Sequence, residues 1–117
     1  MEIRWFKKGK CSRFCYKDVR LSVSKNSTVS YITFFNGAYE RITDSDNLIF
    51  GISGDRLYFK GGDSVTGYKS VTGAKSRRIV LFSDEFIEYA KKHKSEFDLE
   101  YDVENNLYYI EDKESRV

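Results

Sequence analysis

The sequence predicts a mainly β (α+β) fold in which one helix precedes a C-terminal β-hairpin. Among its 117 residues are nine Phe and nine Tyr. Val, Ile and Thr are plentiful while Leu is sparse, a composition that suits pleated strands. Short runs alternate apolar and polar residues between turns rich in Gly, Asn and Ser, and only one stretch, after residue 82, has helical spacing. The length is one domain's worth, so residues 1–117 are expected to form a single unit.

Residues 12–24 read as the first strand. Phe14 and Tyr16 share one face, and Val19, Leu21 and Val23 continue after a one-residue slip, the mark of a β-bulge. Lys25-Asn26-Ser27 turns the chain into a second strand, Thr28–Phe35, with Val29, Tyr31, Thr33 and Phe35 in register. Asn36-Gly37 ends it, and Ala38–Ile42 can form one helical turn. Leu48–Ile52 and Arg56–Lys60 form a hairpin about Ser53-Gly54-Asp55. Residues 61–78 hold Gly61, Gly62, Gly67 and Gly73 with few apolar residues, and read as a mobile loop or a loosely held hairpin before a strand at Ile79–Phe82.

The helix follows. Ser83 is placed to cap it, Asp84 and Glu85 suit its positive end, and Lys91, Lys92 and Lys94 suit the other. Phe82 and Ile87 are spaced for a hydrophobic staple, and Phe86, Ile87 and Ala90 form the apolar stripe. Phe97, Leu99, Tyr101 and Val103 then alternate strictly, Glu104-Asn105-Asn106 turns, and Leu107–Ile110 returns. Strands, one helix, then a hairpin is the order of a small OB-like barrel.

Charge is segregated along the chain. Residues 1–20 carry seven Lys/Arg against Glu2 and Asp18, and residues 56–78 carry six against Asp63 alone. Residues 84–117 carry eleven acidic side chains against five basic ones. A divided field of this kind suits a polyanionic partner. No apolar run approaches the roughly 20 residues that span a bilayer, and the N-terminus lacks the apolar stretch of a signal peptide, so a cytoplasmic location is expected, without a membrane.

Nothing points to catalysis. The chain has no P-loop, no dinucleotide-binding glycine pattern, no Gly-x-Ser-x-Gly and no metal-binding pair of histidines. His93 reads as a solvated residue at a lysine-rich helix end. Asp98, Glu100 and Asp102 read as the wet face of an amphipathic strand rather than a metal cluster. Cys11 and Cys15 lack two further zinc ligands and read as ordinary reduced thiols, so no metal, disulfide or cofactor is expected.

Basic and aromatic residues are interleaved instead. Arg4-Trp5-Phe6-Lys7-Lys8, Arg13-Phe14-Cys15-Tyr16-Lys17, Arg56-Leu57-Tyr58-Phe59-Lys60 and Tyr68-Lys69 each set a ring beside a cation. Rings stack on exposed bases while cations track phosphates, which is what a single strand requires. Strand parity puts Leu57 and Phe59 on one face and Arg56, Tyr58 and Lys60 on the other, making Tyr58 a stacking platform. Lys69, Lys75, Arg77 and Arg78 add charge on the glycine-rich stretch. The expected nucleic-acid-binding set is therefore Arg4, Trp5, Lys7, Lys8, Arg13, Lys17, Arg56, Tyr58, Lys60, Tyr68, Lys69, Lys75, Arg77 and Arg78.

From its basic start through the loop ending Lys75-Ser76-Arg77-Arg78, the chain resembles the small single-stranded-DNA-binding proteins of lactococcal siphophages. That resemblance implies a variant OB fold and a homo-oligomer. It also implies sequence-independent coating of single strands in phage DNA replication and recombination, in the host cytoplasm, beside replication or recombination proteins. Bacterial single-strand binders end in an acidic tail with an apolar tip, whereas Glu111-Asp112-Lys113-Glu114-Ser115-Arg116-Val117 is short and carries cations. Two other classes compete. Tyr68–Lys75 leading into Ile79-Val80-Leu81 and a helix is similar to the swapped-hairpin dimeric regulators of the AbrB type, which bind duplex DNA. A phage inhibitor binding a host protein would use the acidic C-terminal region.

Overall fold

A computed structural model of the chain describes residues 2–3, 17–73, 75–93 and 95–112. Arg4, Trp5, Lys7, Lys8, Arg13 and the two cysteines, with the bulge expected before Lys17, lie outside them. Among the described residues nine strands form one strongly curled sheet: β1 (Val19–Val23), β2 (Ser30–Phe35), β3 (Asn47–Ser53), β4 (Arg56–Gly62), β5 (Tyr68–Thr72), β6 (Ser76–Leu81), β7 (Glu96–Phe97), β8 (Glu100–Asp102) and β9 (Leu107–Glu111). A single turn, α1 (Ala38–Ile42), follows β2, and α2 (Asp84–Lys92) lies between β6 and the final hairpin. The spatial order is β7-β1-β2-β6-β5-β3-β4-β9-β8, antiparallel at every pairing. The fold is thus mainly β, a small OB-like barrel with its helix before the C-terminal hairpin.

The two margins of the sheet, β7 and β8, are separated in the chain by Asp98 and Leu99 alone. Asp18 binds this seam. Its carboxylate accepts from Leu99 N at 3.0 Å and from Asn36 Nδ2 at 3.3 Å, and pairs with Arg41 at 3.0 Å. The curled sheet encloses Val19, Leu21, Ile32, Phe34, Leu48, Leu57, Phe59, Ile79 and Ile110, with Tyr39 from α1 and Phe86 from α2 closing the ends. Ser83 caps α2, its Oγ accepting from Phe86 N at 3.3 Å. Ile87 is buried while Phe82 stays 73% exposed, so the staple expected between them is not the closing contact.

Four expectations are corrected. Gly61 and Gly62 are not loop: they continue β4, where a Cβ at Gly61 would strike the Thr43 side chain and one at Gly62 the Ile49 side chain. Of the two readings of the stretch, the hairpin stands and the mobile loop is corrected: residues 68–81 form a hydrogen-bonded hairpin in mid-sheet, and β6 begins at Ser76, three residues early. The alternating run 97–103 is not one strand. It breaks at Asp98–Leu99, and beyond the break the parity reverses: Tyr101 and Val103 are exposed while the Asp102 side chain is only 11% exposed. Asp102 is therefore no part of a wet face. Nor is His93 solvated: its side chain is 4% exposed, with Nδ1 3.1 Å from the buried Asp112 and Nε2 3.8 Å from Asp55.

Candidate nucleic-acid interface

Strand β2 places its apolar residues on both faces. Ser30, Ile32 and Phe34 point into the barrel, which turns Tyr31, Thr33 and Phe35 outward, half-buried among their neighbours. Register sets what surrounds them. Thr33 lies between Arg20 of β1 and Arg78 of β6, and Arg78 lies beside Val71 of β5. Tyr31 lies between Ser22 and Val80. The Arg78 guanidinium stands over the Tyr31 ring at 5.3 Å and that of Arg20 over the Phe35 ring at 5.7 Å. Exposed Lys69 stands two residues before Val71 on the same face of β5.

This outer face of β1, β2, β6 and β5 therefore carries two ring–guanidinium pairs, a further cation and the exposed apolar groups Val71 and Val80. Among the described residues, its carboxylate is at the margin, where Glu96 pairs with Arg20 at 3.2 Å. The arrangement supplies flat rings, cations and small apolar side chains side by side, the chemistry that bases and phosphates together require. The chain enters β1 from the basic N-terminal stretch, and Lys17, exposed and 3.8 Å from Asp98, is the last residue of that stretch before the strand.

Among the described residues, Arg56, Tyr58, Lys60, Tyr68, Lys75 and Arg77 are not brought to this face. Leu57 and Phe59 are buried and Tyr58 lies opposite them, as parity predicts, but Tyr58 is engaged. Its hydroxyl lies 3.1 Å from Asp102 Oδ2 and accepts from Arg56 at 3.1 Å, and its ring is 5.6 Å from that of Tyr109. Arg56 sits 4.2 Å over Tyr109 and pairs with Asp102 at 3.4 Å and Glu111 at 3.3 Å. Its charge is matched by two carboxylates, and the Tyr58 hydroxyl bond holds its guanidinium even more firmly protonated than usual. Asp102 is held below the ordinary carboxylate range, first by the Asn105 side chain and then by Asn105 N, Tyr58 and Arg56, against the opposing effect of burial. Lys60 stays exposed on this second face.

Arg77 points to the barrel end rather than to solvent. Only 15% exposed, it pairs with Asp46 at 2.6 Å and Glu40 at 3.2 Å, donates to Ser70 Oγ at 2.9 Å and covers the Tyr39 ring at 4.3 Å. Lys75 lies in the β5–β6 turn, and the Tyr68 ring leans on Phe50 at 5.6 Å. Of the predicted residues, Lys69 and Arg78 thus share the outer face, joined by Arg20, Tyr31 and Phe35, which the sequence reading did not select. Nothing in β2 alone marked them, because Tyr31 and Phe35 alternate with the equally apolar Ile32 and Phe34.

Among the described residues no helix is long and apolar enough to cross a membrane, and no cluster of three or more His, Cys, Asp or Glu could hold a metal ion. No protein-family model, curated protein or solved structure matches the chain.

Proposed function

We propose that the chain binds single-stranded DNA without sequence preference, across the outer face of β1, β2, β6 and β5, and performs no catalysis. The observation that carries this reading is the pair of rings, Tyr31 and Phe35, each beneath a guanidinium, on a surface whose carboxylate lies at its margin. A base that takes the guanidinium's place over either ring gains about 1–3 kcal/mol, and the guanidinium so displaced meets the adjoining phosphate. Duplex DNA offers no free base faces and would meet only the cations. The resemblance to phage single-strand binders extends the reading to strand coating by a homo-oligomer in the host cytoplasm, during replication and recombination.

A gel shift with single-stranded and duplex DNA of one sequence tests it. Single strands are expected to bind more tightly, with Tyr31→Ala losing about 1–3 kcal/mol of affinity and Arg78→Glu losing more, both folded by circular dichroism. Preference for duplex would favour the dimeric regulator instead, and no binding to either would leave the acidic surface as the functional one.

A further inference from the structure

Strand β3 is flanked by two partners for only part of its length. Its ladder with β5 ends at the Leu48–Tyr68 pair, after which β5 crosses to β6 from Ser70 onward. From Ile49 to Ser53, β3 pairs with β4 alone among the described residues. Natural edges are blunted by charge, proline, a bulge or a covering helix or loop; Phe50-Gly51-Ile52-Ser53 carries no charge or proline, and Gly51, Ile52 and Ser53 stay exposed beside α2. Between this edge and the first turn of α2 lies a cleft of about 190 Å³ lined by Phe50, Ile52, Tyr68, Leu81 and Phe86. It adjoins a second cleft of about 540 Å³, sharing Ile52 and Glu85 with it, where Asp55, Glu85 and Glu88 outnumber Lys92.

The geometry points to an added strand: we propose that the open edge of β3 takes up an extended peptide of a partner protein in which apolar and basic residues alternate. Backbone groups of the peptide complete the ladder that β5 abandons, and alternate apolar side chains enter the cleft over Phe50 and Phe86. Basic side chains at the Ser53 end meet Asp55, Glu85 and Glu88. Charge selects this occupant. A second copy pairing through the same edge brings no cation of its own between Asn47 and Asp55 to meet those carboxylates, and a nucleic-acid strand would meet them with its phosphates. This site is independent of the outer face of β1, β2, β6 and β5.

Fluorescence anisotropy of a labelled peptide, Lys-Val-Lys-Phe-Lys-Val-Lys, tests the proposal on the full chain. Binding is expected, with protection of the amides of residues 50–53 from hydrogen exchange. N-methylation of alternate peptide nitrogens is expected to weaken it about tenfold or more, the loss of roughly 1.4 kcal/mol. Glu85→Gln with Glu88→Gln, which leaves Asp84 at the helix start, is expected to weaken it comparably, and the all-glutamate counterpart peptide is expected not to bind. The proposal is overturned if the N-methylated peptide binds as tightly, if the double variant is unaffected, if protection falls elsewhere, or if a thymidine oligonucleotide displaces the peptide. Loss of single-strand binding with peptide binding intact would refute the proposed function and leave this inference standing.

Discussion

Adjacent residues on β4 have opposite duties. Phe59 is 1% exposed, with its ring edge-on to Phe34 at 5.5 Å and to Phe50 at 5.7 Å. Phe59→Ala is expected to cost about 3–5 kcal/mol of stability in denaturant unfolding, the range for a buried large-to-small change. Tyr58, on the other face, holds Asp102 and Arg56 through its hydroxyl. Tyr58→Phe keeps the ring against Tyr109 and removes only those hydrogen bonds, an expected loss of about 1 kcal/mol. Because the outer face of β2 lies elsewhere on the barrel, Tyr58→Phe should leave DNA affinity as it is, whereas Tyr31→Ala should not. An equal loss of affinity in both variants would move the site to the β4 face.

At the scale of elements, the barrel's seam rests on the charge of Asp18. Asp18 precedes β1, Leu99 joins β7 to β8 and Arg41 lies in the last turn of α1, and the one Asp18 carboxylate ties them together. Burial acts to raise the pKa of Asp18, but the bonds from Leu99 N, Arg41 and Asn36 outweigh it and hold the carboxyl below its ordinary value of 3.8. A depressed folded-state value means that the ionised form stabilises the fold. That contribution is complete above the unfolded value and disappears as pH falls through the folded one, so it is lost below about pH 3.8. Asp18→Ala is expected to lower stability at neutral pH by about 1.5–3 kcal/mol, the range for hydrogen bonds to a charged group. The variant should also unfold with a shallower acid dependence, measured as Tm against pH from 7 downward. An unchanged acid profile would mean that the seam is closed by strand pairing alone.

For the whole molecule, the division of charge survives folding in a modified form. Among the described residues, Lys69 and Arg78 stand with Tyr31 on the outer face, while Arg56 and Arg77 are consumed by ion pairs that hold elements together. Single-strand binding should weaken with salt at a slope of about −0.7 in log affinity against log salt for each phosphate neutralised. Arg78→Ala is expected to reduce that slope by about one contact's worth, and Arg77→Ala to reduce stability instead. A slope unmoved by Arg78→Ala, or affinity indifferent to salt, would remove the electrostatic part of the proposed interface.

Apart from β5 and the division of β7 from β8, the order of elements was determined by the sequence itself, because it is written in local patterns. The β4 parity, the Ser83 cap, the helical turn at Ala38–Ile42 and the final turn at Glu104–Asn106 all follow from spacing and turn chemistry among near neighbours. Tertiary structure decided what neighbours cannot. Strand β2 is apolar at both parities, so only its place between β1 and β6 fixes Ile32 and Phe34 as core and leaves Tyr31 and Phe35 outside. The break at Asp98–Leu99 arises because one part of that run must pair with β1 and the next with β9, which reverses the parity and folds Asp102 under Tyr58. His93 is buried because Asp112 and Asp55, 19 and 38 positions away, are carried to its two nitrogens. A cation's availability is likewise a long-range property: Arg77 and Arg78 are consecutive, yet one meets Glu40 and Asp46 across the barrel end and the other faces solvent over Tyr31.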